Sequence, residues 1–251
     1  MRRSRVDSAT EEPATANLGF LQVDFAPESE QTGLIDWEWL ADNFMEDVVP
    51  AFFQHIYLCF VSLAIALVIS LPLGILAARY RRLYPPLTAI TGFFYTIPSF
   101  SMFTILLFVV GFSVGRTPAI IALVLYSLLV LIRNVVTGLD SVPPETKDAA
   151  RGMGLTDRQI LWRVELPLAL PVIVAGMRIA IVTVIGIAVI GAYIGAGGLG
   201  DLIFDGITRD FPTMYIAGAV LATLLAVGSD LLFVGAERLL SPWARRARGA
   251  T

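Results

Sequence analysis

Lysine is almost absent from this chain. Of its 18 basic residues only Lys147 is a lysine, and between Val6 and Ala78 there is no Lys or Arg at all, against eleven Asp and Glu. The net charge of -3 thus conceals a segregation of charge along the sequence. The basic residues sit in short clusters beside apolar runs rather than along one stripe, which argues against nucleic-acid binding. A single cysteine, Cys59, rules out an intrachain disulfide or a multi-cysteine metal site, and inside an apolar run it reads as a small core or lipid-facing residue. The single histidine, His55, has no ligand-type neighbour at metal spacing and reads as a polar boundary residue near the outer end of the first apolar run. No G-x4-G-K-[ST] pattern occurs, so a phosphate-cradling loop is missing. After Met1, Arg2 and Arg3 there is polar and acidic sequence instead of an apolar h-region, so the tail is expected to be retained. Charged residues make up only 16% and hydrophobic ones 56%, where a soluble domain has roughly 25% charged residues. With a mean hydropathy of +0.75, this composition argues against a water-soluble globule.

What is abundant is apolar sequence of membrane-crossing length. Runs near 52–78, 86–111, 117–138, 170–195 and 213–238 can each cross a hydrocarbon core that needs about 20 helical residues. Stray backbone N–H and C=O groups find no partner in lipid, so these runs must be helices. The expected fold class is an all-α integral membrane protein of about five transmembrane helices. Basic clusters follow the first run (Arg79, Arg81, Arg82), the third (Arg133, Lys147, Arg151, Arg158, Arg163) and the fifth (Arg238, Arg245, Arg246, Arg248). The positive-inside rule therefore predicts an external N-terminus and a cytoplasmic C-terminus. Three regions result: an acidic extracytoplasmic tail over 1–48, a transmembrane domain over 49–240 and a basic tail over 241–251. Within the first, Trp37, Leu40, Ala41, Phe44 and Val48 share one helical face, predicting an amphipathic helix lying on the membrane.

The long connection from Asp140 to Ala169 has helix signals of its own. Pro143 and Pro144 suit a helix start, Gly154 its stop, and Thr156 with Gln159 a capping box opening a second helix. Pro167 is expected to interrupt that second helix at the membrane. Ala149, Ala150, Gly152 and Gly154 offer little bulk, so either another protein approaches closely here or the residues only tighten a helix hairpin. The run Asp148-Ala149-Ala150-Arg151-Gly152-Met153-Gly154, nine residues, then Val164-Glu165-Leu166-Pro167 resembles the cytoplasmic EAA loop of ABC importer permeases of the type I fold. It departs by Asp148 for Glu and Val164 for Ile. The resemblance implies a coupling helix seated on a separate ATPase, with Asp148, Ala149, Ala150 and Gly154 in contact and Leu166 and Pro167 joining it to the fourth span. Further runs, Phe94-Tyr95-Thr96-Ile97-Pro98-Ser99, Leu125-Tyr126-Ser127-Leu128, Ile132-Arg133-Asn134 and Ile194-Gly195-Ala196-Gly197-Gly198-Leu199-Gly200, resemble permeases for glycine betaine, choline, carnitine and proline betaine.

That resemblance implies a chain that is not itself an enzyme and holds no cofactor. ATP and Mg would sit on a partner ATPase dimer, beside a second permease copy or paralogue and an extracytoplasmic solute-binding protein. The alternatives are an ABC permease for another small solute such as an amino acid, and an ion-coupled secondary transporter. The latter would need inverted repeats and midplane carboxylates, and no internal repeat is visible. Gly195 to Gly200 matches G-x-G-x-x-G formally, yet an apolar helix precedes it where a dinucleotide site needs a strand, so a tight turn is expected. Pro98 breaks the second span at mid-depth, making Tyr95, Pro98, Ser99 and Met102 candidates for a translocation path. Aromatics around it, including Phe93, Phe94, Phe100 and Phe103, either pack as core or face an onium group through cation-π attraction. Finally, counting about 1.5 Å per residue places Arg178 of the fourth span and Asp230 of the fifth at matching depth, so either they pair or each reaches water alone.

Overall fold

The computed structural model describes residues 33–240, and those residues form helices and turns with no strand. The acidic stretch before residue 33 and the basic cluster Arg245, Arg246 and Arg248 lie outside the described residues. The helices are α1 (Trp37–Asn43), α2 (Val49–Arg79), α3 (Tyr84–Thr96), α4 (Ser99–Thr104), α5 (Arg116–Asp140), α6 (Pro144–Gly152), α7 (Asp157–Ile160), α8 (Leu166–Ile190), α9 (Leu199–Thr208) and α10 (Pro212–Leu240). The core is the seam between α2, α5 and α8, where Cys59, Leu63 and Ala66 meet Leu123, Leu131 and Ile132 and, from α8, Ile181, Val184 and Ile185. Cys59 is thus a core residue. Small residues let the backbones approach closely: a Cβ added to Gly138 of α5 would lie 3.0 Å from the Ala169 carbonyl oxygen of α8.

Two prolines that look like breaks are absorbed by widened turns. The residue before each, Val49 before Pro50 and Leu166 before Pro167, donates its N–H five residues back, to Phe44 and Leu161. These π-turns relieve the clash between the proline ring and the preceding turn. Consequently one helix runs unbroken over Trp37–Arg79 and another over Asp157–Ile194. Pro167 thus does not interrupt its helix, which corrects the expectation, and the amphipathic stretch before residue 49 is continuous with the helix of the first apolar run. It packs by Trp39, edge-on to Phe211 at 5.1 Å, and by Leu40 and Val48, while Trp37 and Phe44 of the expected apolar face are exposed. Asp36 caps α1, and its N–H donates to Thr213 Oγ1 at 2.8 Å.

The second apolar run is a span bent by 97° between Arg81–Thr96 and Ser99–Val109. Its two ends show that it crosses rather than turning back. Arg81 donates to both oxygens of Asp140, at 2.9 and 2.5 Å, at the C-terminal end of α5. After α4 and the π-turn Ile105–Val109, the chain reaches the opposite end of α5, where the Gly115 N–H donates to the Ile194 carbonyl at 2.8 Å. The segment therefore travels the length of α5, whose 25 residues rise about 37 Å. With the bent pair taken as one span there are five candidate crossings among the described residues, one end of the bundle carrying the 140–169 loop and the far end carrying Gly115, Ile194 and α9.

Candidate functional site

At the loop end, Pro143 caps α6 and Pro144 opens it, since neither position requires an N–H for the helix. Gly154 ends the turn at φ +82, a conformation L side chains adopt only with strain. Thr156 and Gln159 form the capping box of α7, Thr156 N–H donating to Gln159 Oε1 at 2.9 Å. Asp148, Ala149, Gly152, Met153 and Gly154 are exposed on this hairpin. Ala150 is not: at 1% exposure its methyl faces the chain's own packing, so it does not belong to the expected contact surface. Met153, next to the hairpin's turn, is 73% exposed. Periodicity on α6 could have separated Ala150 from its neighbours, because α6 has one buried residue and it is Ala150. Leu166 and Pro167 begin α8 and are half-buried.

Beneath that surface lies a carboxylate for which the sequence reading had no role. Glu165 is 4% exposed. Its Oε2 accepts from Arg79 Nη2 at 3.1 Å, and its Oε1 lies 3.2 Å from Lys147 Nζ. The pair of cations satisfies a charge that would otherwise be costly to bury.

At mid-depth, Pro98 follows the bend and leaves the Ile97 carbonyl outside any helical ladder; the Tyr126 hydroxyl of α5 donates to it. A side chain thus supplies the hydrogen bond that lipid cannot. Tyr95 stands edge-on to Tyr126 with ring centroids 6.2 Å apart and is partly exposed, as are Pro98 and Ser99. Met102 is buried at 2% with Leu58, Phe103 and Leu106, which removes it from the candidate path: the helix restarts at Ser99 and turns that side chain inward. Phe103 is likewise core, whereas Phe93 and Phe100 are exposed. Phe100, Tyr193 and Phe204 continue edge to face toward the far end at 5.6 and 4.4 Å.

His55 is fully buried and is no boundary residue: its Nε2 donates to the Ile185 carbonyl at 3.2 Å, since a carbonyl can only accept. Gly195, Gly197 and Gly198 all have positive φ, forming the tight turn expected there. Arg178 and Asp230 are brought together as a fork, Nε to Oδ1 at 2.7 Å and Nη2 to Oδ2 at 2.9 Å. No group of three or more His, Cys, Asp or Glu able to hold a metal occurs among the described residues.

A family model described as the binding-protein-dependent transport system inner membrane component matches residues 70–246, from α2 through the loop to α10. The chain belongs to that family. Among its relatives, the choline transport system permease protein OpuBD of Bacillus subtilis is 43% identical over 204 residues, 81% of this chain and 89% of that one. The osmoprotectant import permease protein OsmW of Salmonella typhimurium is 42% identical over 193 residues, 76% of this chain and 90% of that one. Among solved structures, an inward-facing conformation of the MetNI methionine ABC transporter superposes with a TM-score of 0.70 at 27% identity, covering 79% of this chain and 98% of that one. The fold is that of an ABC importer permease, and the family's relatives are transport subunits of the membrane.

Proposed function

We propose that this chain is the permease subunit of an ATP-driven importer for quaternary ammonium osmoprotectants: glycine betaine, choline, carnitine or proline betaine. The observation that carries the reading is the similarity, over three quarters or more of the chain, to relatives named for choline and osmoprotectant transport. The exposed α6 hairpin supports it as the docking element for a separate ATPase dimer that holds ATP and Mg. Arg79, Arg82, Lys147, Arg151, Arg158 and Arg163 gather at the loop end, against Arg116 and Arg209 at the far end. By the positive-inside rule the loop end is cytoplasmic, the N-terminus external and the C-terminus cytoplasmic.

In this mechanism, closure of the ATPase pair draws two α6 hairpins together and rocks two permease bundles as near-rigid bodies between inward-open and outward-open states. A solute-binding protein delivers its ligand at the far end. Tyr95, Pro98 and Ser99 line the path, since the bend at Pro98 places irregular backbone and a partly exposed aromatic at mid-depth. Selectivity for an onium group fits aromatic faces, which attract cations without a fixed counter-charge.

An amino-acid importer is the second reading, favoured by the likeness to the methionine transporter. Competition separates them. In cells carrying the complete system, uptake of labelled choline should fall when unlabelled glycine betaine or carnitine is added in excess and stay unchanged with excess methionine. Competition by methionine alone would reverse the assignment.

A further inference from the structure

Helix α6 itself buries only Ala150, with Val142 before it and Ile160 of α7 adding apolar contact on either side. An ionic attachment passes through Glu165, whose two oxygens are divided between Arg79 at the end of α2 and Lys147 on α6. Each cation has a further acceptor. Lys147 Nζ donates to the Leu139 carbonyl at 3.2 Å, near the end of α5, and Arg79 Nη2 reaches the Asp157 carbonyl at 3.4 Å, at the start of α7. One buried carboxylate therefore fastens α6, α2 and the helix that becomes α8, while its lysine partner adds α5.

We propose that Glu165 is the positioning residue through which movement of α6 is passed to α2 and α8 together, making Arg79, Lys147 and Glu165 the coupling joint of this subunit. The Glu165 side chain is 6% exposed while Arg79 and Lys147 reach solvent at 35% and 24%, and a buried carboxylate resists losing its cation partners, so a pull on α6 is passed to the spans through that carboxylate as well as through the connecting turns 141–143 and 153–156. Remove the joint, and the hairpin can follow the ATPase while the bundle stays behind.

The inference rests on α6 being the ATPase docking element, and the experiment separates the two ideas. The complete complex is reconstituted in proteoliposomes with its binding protein, and solute imported per ATP hydrolysed is measured. Copurification of the ATPase with the wild type but not with Ala149→Arg tests the docking reading; the ratio in variants tests the joint. Glu165→Gln keeps the shape and loses the charge: it should still hydrolyse ATP, with a ratio at least tenfold lower. Lys147→Met, which leaves the Arg79–Glu165 pair intact, should lower the ratio severalfold, and Lys147→Arg should stay within twofold of wild type. An unchanged ratio in Glu165→Gln, or uptake and hydrolysis falling in parallel, overturns the joint. Should Glu165→Gln fail to assemble, Lys147→Met decides alone, since its side chain is already 24% exposed and a normal ratio there refutes the proposal.

Discussion

Arg178 and Asp230 lie on different helices, 52 residues apart in sequence, and each side chain is about one-third exposed on the bundle. A lone Arg or Asp at the centre of a membrane helix costs at least about 2.5 kcal/mol on insertion scales, so their mutual fork removes a penalty from both spans. Arg178→Asp and Asp230→Arg should each reduce the amount of folded protein recovered from membranes. Exchanging both should restore much of it, because the fork re-forms with its ends swapped; a double variant no better than the worse single one contradicts the pairing. Their matching depth was legible in the sequence because helical rise is fixed and can be counted from the span ends without knowing the packing; whether the two pair or each reaches water alone was not. The role of Glu165 was not legible in the same way. Its partners come from positions 79 and 147, and only the folded loop brings those two cations onto one carboxylate. Tyr126 escaped for a similar reason, since nothing local announces that its hydroxyl will meet the Ile97 carbonyl.

At the scale of elements, the loop was read well where backbone chemistry is local. Pro143, Pro144, Gly154 and the Thr156–Gln159 box act within a turn of where they stand, and each does in the structure what its residue type requires. Side-chain direction on α6 was the harder part, as the inward-facing Ala150 shows. The exposed Ala149 gives the cleaner test of docking: Ala149→Arg should change stability by less than about 0.5 kcal/mol, insert normally and fail to copurify with the ATPase. Normal copurification and uptake would dismiss the loop as the docking surface. Gly154→Arg should also abolish uptake, but it adds backbone strain of about 1–2 kcal/mol from the left-handed φ, so it tests two things at once. At the far end, the Asp201 carboxyl of α9 lies at the exposed surface, where partial desolvation and the neighbouring Asp205 raise it above the usual carboxylate range. A raised value means the folded state prefers the proton, so stability is fullest below the ordinary value near ~3.9 and falls as the pH climbs through the raised one. Asp201→Asn should therefore raise Tm at pH 7, with the gain disappearing in acid; an equal gain at both pH values would assign it to packing instead. The helix continues through Pro167 because of a π-turn that the sequence, which shows only the missing N–H, does not reveal.

For the whole molecule, the odd number of crossings follows from the bent second span joining opposite ends of α5. A reporter fused after Arg248 should accordingly be cytoplasmic and a label near Glu30 should react from outside, whereas both on one face would require an even count. Apolar run lengths made the fold class and the crossings visible from the outset, because lipid leaves a chain few options. The solute was visible only through resemblance, since no pocket chemistry in the sequence names it. What unites loop, joint and bundle is the claim that ATP hydrolysis on a separate subunit drives uptake through this chain. The direct measurement is import of labelled choline or glycine betaine by proteoliposomes holding the complete complex and its binding protein, with ATP and Mg supplied on the ATPase side and ion gradients collapsed by ionophores. The account predicts accumulation that requires ATP and survives the ionophores; uptake that proceeds without ATP or without the ATPase, and stops when the gradients are collapsed, would contradict it.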